Sequence, residues 1–513
     1  MYSKVISCGV LGIQGVMLYV EADVRDGLPT VSMVGSLSAS VRESKDRVIT
    51  AIQNIGIKIP PKKVTISLLP ADFRKEGSLY DLPIAVALLA SYGYIPSEEL
   101  ENVCFLGEIS LNGEIKPVKG ILPMVSHMKE KSIRRCFVPK ENEKEARIID
   151  GIEICPVETL NQVLYVLQNH SQLDTKELRD DMVEHIKGTQ NTSEILDFSD
   201  IIGQEFAKRG AEIAVAGRHN LLLLGAPGTG KSMIASRLPS IMPKLTKEES
   251  LEITKIYSVK GELKDGHYLI EERPFRAPHH TITDVALVGG GRFPVPGEIS
   301  MAHKGVLFLD EFPEFSRNAL EVLRQPLEEK RVVINRMYGT YIYPSDILLL
   351  GAMNPCPCGY YPNRKKCRCS EPQIRNYLGR ISGPLLERMD LMAEVSEISY
   401  EQLESSKKTE SSEDIRKRVE QAVFIQSERY RELEITFNSQ LHGKWIEKFC
   451  PLDKNSQQTL QYVFEKRNWS PRTYYRTLKV ARTIADLEQE EKIREEHIIE
   501  AIAYRGMEQK YWR

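Results

Sequence analysis

Gly225-Ala-Pro-Gly-Thr-Gly-Lys-Ser232 follows the apolar run Asn220-Leu-Leu-Leu-Leu224 and leads into Met233-Ile-Ala-Ser-Arg-Leu238. The apolar run reads as a buried strand and the stretch after the loop as a helix. Strand, G-x-x-x-x-G-K-S and helix, in that order, make a phosphate-binding loop. Gly225, Pro227, Gly228, Thr229 and Gly230 are its candidate nucleotide contacts. Glycines let the backbone wrap so that main-chain N–H groups and the helix N-terminus face phosphate oxygens. Lys231 is placed to reach the β- and γ-phosphates, and the Ser232 hydroxyl to ligate Mg²⁺. ATP and Mg²⁺ are the ligands expected. A chance glycine-rich turn is the alternative, and the flanking strand and helix argue against it.

A second apolar strand, Gly305-Val-Leu-Phe-Leu-Asp-Glu311, ends in two carboxylates. Asp310 is expected to hold Mg²⁺ directly or through water, and Glu311 to polarise the water that attacks the γ-phosphate. One acid for the metal and one for the proton suits hydrolysis. Asp-Glu pairs alone are common; an apolar strand, the pair and an upstream phosphate loop together are specific.

At 513 residues the chain is too long for one core, and length suggests about three domains. Its formal net charge is −2, so any nucleic-acid surface must be a local patch. The apolar run Leu82 to Ala90 contains Pro83 and is far short of the ~20 residues that span a bilayer. Glycines interrupt the first hydrophobic residues, and Glu21 and Asp23 follow, which is no signal peptide. A cytoplasmic protein with no membrane partner is the expectation. Of nine cysteines, four lie between Cys356 and Cys369, which suggests a reducing compartment and a metal knuckle rather than a disulfide framework.

Residues 1–165 read as mixed α/β. Val5 to Val24 alternates like paired strands, Ser38 to Ile55 has helical spacing, and Val64 to Leu69 alternates. Leu82 to Ala90 reads as a buried helix, and Phe105 to Val118 as a hairpin turning at Asn112-Gly113. Gly107 to Ile121 (GEISLNGEIKPVKGI) and Phe137 to Ala146 (FVPKENEKEA) resemble the proteolytic domain of Lon-type proteases. That resemblance implies a serine–lysine dyad, but Ser78-Leu-Tyr-Asp-Leu-Pro83 has no serine at the nucleophile position, and Leu122 stands where the lysine is due. The expectation is a Lon-like fold lacking the dyad. A displaced pair of Ser78 with Lys119 or Lys116 is the alternative that would make an ATP-dependent protease. Residues 166–194 are polar and read as a linker.

Residues 195–395 carry the ATPase. Asp197-Phe-Ser-Asp-Ile-Ile-Gly-Gln204 resembles the adenine-pocket segment of AAA+ ATPases, which implies that Ile201 and Ile202 line the base. Ile347-Leu-Leu-Leu-Gly-Ala-Met-Asn354 resembles the sensor 1 strand, with Asn354 orienting the attacking water; a plain turn residue before Pro355 is the alternative. Ser382-Gly-Pro-Leu-Leu-Glu-Arg-Met-Asp-Leu391 resembles the arginine-finger segment, which implies that Arg388 reaches a neighbouring subunit's site and contributes roughly 10³–10⁵ in rate. A salt-bridged surface arginine is the alternative.

About eighty residues separate the phosphate loop from the acidic strand. Phe275-Arg-Ala-Pro-His-His-Thr-Ile-Thr-Asp284, Val288-Gly-Gly-Gly-Arg292 and Pro296-Gly-Glu-Ile-Ser-Met-Ala-His303 fill that space and resemble the insert of magnesium-chelatase-like AAA+ proteins. His279 and His280 could serve the pore, contact nucleotide or cap a loop; neither has an obvious metal partner, and a structural role is the expectation. With the Lon-like segment, the chain resembles the ComM/YifB family over nearly its whole length. The resemblance implies a homo-hexameric motor on single-stranded or branched DNA, a helicase for branch migration in recombination and natural transformation, with recombination proteins as partners. The alternatives are a chelatase-type motor for metal insertion and a protein-remodelling ATPase. The fold expected is α/β: an AAA+ P-loop core with a helical lid, preceded by a mixed α/β Lon-protease-like (ribosomal S5 domain 2-like) domain.

Arg331 to Tyr343 reads as a hairpin around Tyr338-Gly339. Relatives point such hairpins into the ring pore, where Arg336 would meet phosphates and Tyr338 a base; shaping the subunit interface is the alternative. Cys356-Pro-Cys358 and Cys367-Arg-Cys369 put four thiols within fourteen residues, enough to close around Zn²⁺, and four reduced cysteines in a loop are the alternative. Residues 396–513 read as a helical lid. Ser470-Pro471 starts a helix whose Arg472 resembles the sensor 2 arginine, which would contact the γ-phosphate and close the lid; Arg476, one turn on, is second choice.

Overall fold

A computed structural model describes residues 1–169, 196–263, 268–337, 339–398, 400 and 409–512. Nearly all of the 166–194 linker, and Tyr338, lie outside the described residues.

The first unit is built on a seven-stranded sheet. Tyr2–Leu11 pairs antiparallel with Gln14–Arg25, and Leu18, Val20 and Ala22, two apart along the strand, all face the core. Lys63–Leu69 and Thr30–Val34 extend one side; Val103–Phe105, Arg135–Pro139 and Glu153–Val157 extend the other. Helix Ala39–Asn54 starts at Ser38, whose hydroxyl accepts the Val41 N–H, and buries Val41, Val48 and Ile52. Helix Asp81–Ser91 is buried all round, hence its lack of a polar face. The hairpin at Asn112-Gly113 is shorter than its sequence suggests. Glu108–Ile109 pairs with Ile115–Lys116, while Val103–Phe105 joins the large sheet beside Tyr2–Leu11 and Arg135–Pro139.

The residues considered for a displaced dyad do not meet. The Ser78 hydroxyl donates to the Glu108 carboxylate, and Lys116 pairs with Glu114 at 2.8 Å on the surface. Lys119 lies along Gly261 of the second unit. Leu122 is buried, and its N–H donates to Glu145 at 3.1 Å.

The second unit is a parallel sheet in the order Phe275–Arg276, Val306–Leu309, Leu348–Met353, Leu221–Leu224, Leu391–Glu394. Every residue of its three central strands is buried, which explains their unbroken apolar runs. Because all five strands run one way, the residues that follow them gather at one edge. Helix Lys247–Lys260 of this unit packs on Ile121–Glu130 of the first; the Gly120 N–H donates to Ser258 O at 3.1 Å, and the Ser258 hydroxyl to Glu145.

The lid comprises Ser412–Arg429, Lys444–Phe449, Lys454–Arg467, Pro471–Leu487 and Glu495–Ala503. Asp486 is its buried anchor, accepting from Arg429, Arg482 and Asn438. The last helix, Gly506–Trp512, returns to the five-stranded parallel sheet, where Tyr511 donates to Glu394 at 3.0 Å and Trp512 to Leu378 O at 3.2 Å. Helix Pro471–Leu487 docks through Arg476, which pairs with buried Asp390 and donates to Arg388 O at 2.9 Å.

Burial opposes ionisation of Asp390, yet the Arg476 charge and the His219 bond hold its carboxyl well below the usual aspartate range. Arg476→Ala strands a buried carboxylate and is expected to cost about 3 kcal/mol in urea unfolding. The Asp390 contribution is fully present above the ordinary aspartate pKa and is lost as pH falls through the lowered one. Between about pH 4 and pH 2 the variant's stability should therefore depend less on pH than that of the parent protein.

Candidate functional site

The phosphate loop follows Leu224, and its Gly225 N–H donates to Met353 O at 3.2 Å. Gly225 has no room for a side chain, since a Cβ would come within 2.3 Å of Val395 O. Gly228 and Gly230 are different: both are left-handed, with φ of 77° and 94°, and a Cβ on either would meet nothing within 4 Å. The loop is thus an open cradle beneath the N-terminus of helix Lys231–Ile241. Thr229 braces it by donating to Ala226 O at 2.9 Å.

Lys231 is buried at the floor of this cradle. Its ammonium donates to Gly225 O and Ala226 O, both at 2.9 Å, and to Asn354 Oδ1 at 3.1 Å. Burial lowers its pKa, with Asp310 acting the other way. All three acceptors are neutral, so an anion above the loop would find a desolvated positive charge waiting. The Ser232 hydroxyl donates to Asp310 Oδ2 at 2.9 Å, and Asp310 Oδ1 accepts the Glu311 N–H at 2.8 Å. A hydroxyl and a carboxylate side by side are hard oxygen ligands suited to Mg²⁺. The cradle, the ammonium and this pair fit a nucleotide triphosphate with its metal.

Glu311 has a φ of 51°, an uncommon backbone state for glutamate, and its side chain is 56% exposed. Its carboxylate lies 3.1 Å from Nδ1 of His280. The His279 ring packs on His280 with centroids 4.1 Å apart, and His279 Nδ1 sits 2.9 Å from the Thr281 hydroxyl. The structure therefore brings His280 into the site. Both histidines follow the strand Phe275–Arg276, which pairs in parallel with Val306–Leu309 and shares its edge. That adjacency, seen only once the strand order is known, was the missing signal. Gln204 was missed too: it donates to Ser396 O at 2.7 Å and Thr229 O at 3.4 Å, tying the Ile201–Ile202 segment to the loop. Ile201 is in the core, and Ile202 is half-buried.

The arginines sit elsewhere. Arg388 precedes strand Leu391–Glu394, at the amino end of the sheet, opposite the phosphate loop. Its side chain is 5% exposed, pairs with Glu328 and donates to Pro384 O at 2.6 Å, so it does not project as a free finger. Arg472 joins it there, 3.4 Å from Glu328 and 3.5 Å from Glu387. Placed at that end, Arg472 does not lie over the phosphate loop of its own chain, and Arg476 is occupied by Asp390.

The four thiols converge. Cys356 Sγ lies 3.4 Å from Cys358 and 3.8 Å from Cys367, Cys358 lies 3.6 Å from Cys367, and all four ligand atoms are within 4.8 Å of one another. The hairpin pairs Arg331–Arg336 with Gly339–Pro344; Arg336 is exposed beside Gly291, with Met337 83% exposed at the tip.

Comparison with known proteins accords with these features. Family models described as magnesium chelatase, subunit ChlI, as subunit ChlI of Mg-chelatase, and as magnesium chelatase, subunit ChlI C-terminal match residues 197–403, 20–142 and 409–505. The chain is 39% identical over 505 residues to competence protein ComM of Haemophilus influenzae, covering 98% of this chain and 97% of the relative. It is 40% identical over 502 residues to the uncharacterized protein YifB of Escherichia coli K12, covering 97% and 96%. Lon protease 2 of Bacillus subtilis is 30% identical over 145 residues, 27% of this chain and 26% of that protease.

Lys231→Ala should abolish nucleotide binding or turnover in an ATPase assay, and Glu311→Gln should bind ATP without hydrolysing it. His280→Ala frees the Glu311 carboxylate from its imidazole. Its basal turnover should change by about two- to tenfold with nucleotide affinity kept, a split that a merely folding role would not give.

Proposed function

This chain belongs to the ComM/YifB family of magnesium-chelatase-like AAA+ ATPases with a Lon-like N-terminal domain, and from that premise we propose a ring-forming DNA motor. The ring is a homo-hexamer. It couples ATP hydrolysis to helicase movement on single-stranded or branched DNA, in branch migration during recombination and transformation. Recombination proteins are its partners and the cytoplasm its compartment; no helix among the described residues is long and apolar enough to cross a membrane.

The observation that carries the ring is the placement of Arg388 and Arg472. They share Glu328 at the end of the sheet away from their own phosphate loop, so a nucleotide that either of them served would be one held by another subunit. Within one subunit, phosphates lie against the N–H groups of residues 228–232 and the Lys231 ammonium. Mg²⁺, when bound at Ser232 and Asp310, supplies neutralising charge. Glu311 takes the proton of the attacking water once His280 releases it, and Asn354 holds Lys231 in place. The neighbour's Arg388 exchanges Glu328 for the transferring phosphoryl.

The DNA reading is supported by the nearly full-length similarity to a competence protein and by the exposed hairpin tip. Arg336 there, with Arg292 stacked on exposed Phe293 nearby, offers a cation and an aromatic face to a strand. The four thiols are read as a Zn²⁺ site, because their sulfurs converge.

DNA should stimulate the ATPase at low salt, and purified protein should migrate a synthetic four-way junction; no DNA effect would count heavily against the motor. Mixing tests the ring separately. Glu311→Gln keeps the finger and lacks the base, while Arg388→Ala has the reverse defect. The mixture should hydrolyse ATP faster than either alone, whereas an arginine acting within its own chain gives no rescue.

A further inference from the structure

We propose that a zinc centre at Cys356, Cys358, Cys367 and Cys369 sets the position of the phosphate loop, so that nucleotide affinity depends on the metal. The proposal rests on the zinc reading above and assigns that site its task. A tetrahedral zinc with Zn–S bonds near 2.3 Å places its sulfurs about 3.8 Å apart. The separations of 3.4, 3.6 and 3.8 Å are close to that figure, and all four cysteines are free thiols. Main-chain donors already face the sulfurs: the Tyr361 N–H lies 3.4 Å from Cys356, and the N–H groups of Tyr360 and Arg368 serve Cys358. Such bonds orient metal ligands and favour thiolates. Arg364, Lys365, Lys366 and Arg368 add positive charge around a dianionic site.

The knuckle is joined to the nucleotide site from three sides. Its first cysteine stands two residues after Asn354, which holds the Lys231 ammonium at 3.1 Å. Gly359, with φ of 86°, lies on the Pro227 ring of the phosphate loop; a Cβ there would come within 2.3 Å of Pro227 Cδ. Lys366 pairs with Glu397 at 2.8 Å, next to Ser396, whose carbonyl takes the Gln204 amide that also reaches Thr229. Yet residues 355–369 contain no helix or strand. Cys356 and Cys367 face inward against the core around Met353 and Tyr377. A segment of turns has little cooperative structure of its own, and a metal drawing four thiolates together supplies what is missing. Held in this way, the knuckle presses Gly359 on Pro227 and fixes where the loop's N–H groups point.

The test uses the full chain purified without chelator. Elemental analysis should find one zinc per chain. A mercurial thiol reagent should then release it to a colorimetric indicator; the other five cysteines, Cys8, Cys104, Cys136, Cys155 and Cys450, are buried, so the half-exposed Cys358 and Cys369 react first. Affinity for a fluorescent ATP analogue should fall about tenfold on release and return with excess thiol and zinc. Gly359→Ala should keep zinc and still bind the analogue several-fold more weakly; should that variant lose zinc, the mercurial titration alone decides. Less than about half an equivalent of zinc in the parent protein overturns the zinc reading itself. One zinc per chain, with affinity unchanged after its removal, leaves zinc in place and overturns its hold on the phosphate loop.

Discussion

The nucleotide site depends on a buried ammonium to which, among the described residues, no carboxylate is bonded. Lys231 is desolvated, and its three acceptors are the Gly225 and Ala226 carbonyls and the Asn354 amide. Burying a charge on neutral partners is costly, and a phosphate above the loop offsets that cost more completely than carbonyls do. The same three bonds do structural work. They hold the first turn of the loop down on its own strand and couple it to the next strand through Asn354. Leu221–Leu224 and Leu348–Met353 must lie side by side in parallel for this to happen, which in turn requires the buried apolar faces that both strands carry.

A parallel sheet sorts its neighbours by strand end. At the carboxyl ends are Gly225, His280, Asp310 and Asn354, all turned to one site. At the amino end are Asn220, Arg388 and Asp390, with Arg472 and Arg476 brought to them by the lid. Arg476 and Arg472 are one turn apart on one helix and do different work. Arg476 neutralises a carboxylate that burial would otherwise make expensive, so it fixes the lid. Arg472 and Arg388 converge on a single acid, Glu328, itself half-exposed. Each also has a second partner, Arg472 in Glu387 at 3.5 Å and Arg388 in the Pro384 carbonyl at 2.6 Å, so the pair stays at the amino end of the sheet and away from its own phosphate loop.

What was legible in the sequence is what lies on continuous stretches. The phosphate loop, the Asp310–Glu311 pair and Asn354 each follow an apolar strand, and the α/β class follows from those runs. The four cysteines were legible for the same reason, as two C-x-C arms eight residues apart; that their sulfurs converge was not, since thirteen extended steps can span about 45 Å. The His280–Glu311 contact was not, because it joins residues on different strands and depends on Phe275–Arg276 lying at the sheet's edge. Nor was the fate of the arginines: helical spacing places Arg472 and Arg476 on one face but says nothing of which acid each meets. Phe105 reads locally as the start of a hairpin arm, but it belongs to the strand Val103–Phe105. Its three buried residues go to the large sheet because Phe105 stacks on Phe137 there, 4.9 Å between ring centroids.

The Lon-like unit then acquires a physical role from how it is joined. At the position where Lon-type proteases keep a lysine, Leu122 turns a backbone N–H to Glu145, and Glu145 also accepts from Ser258 on the ATPase helix. A second joint lies at the first hairpin, whose Gly12 packs so closely on the Ile342 carbonyl that a Cβ would approach to 2.5 Å. Ile342 belongs to the very hairpin that carries Arg336. The unit thus grips the ATPase both on the helix beside the insert and on the hairpin. Any displacement of that hairpin by a bound strand must either carry the Lon-like unit with it or break the Gly12 contact.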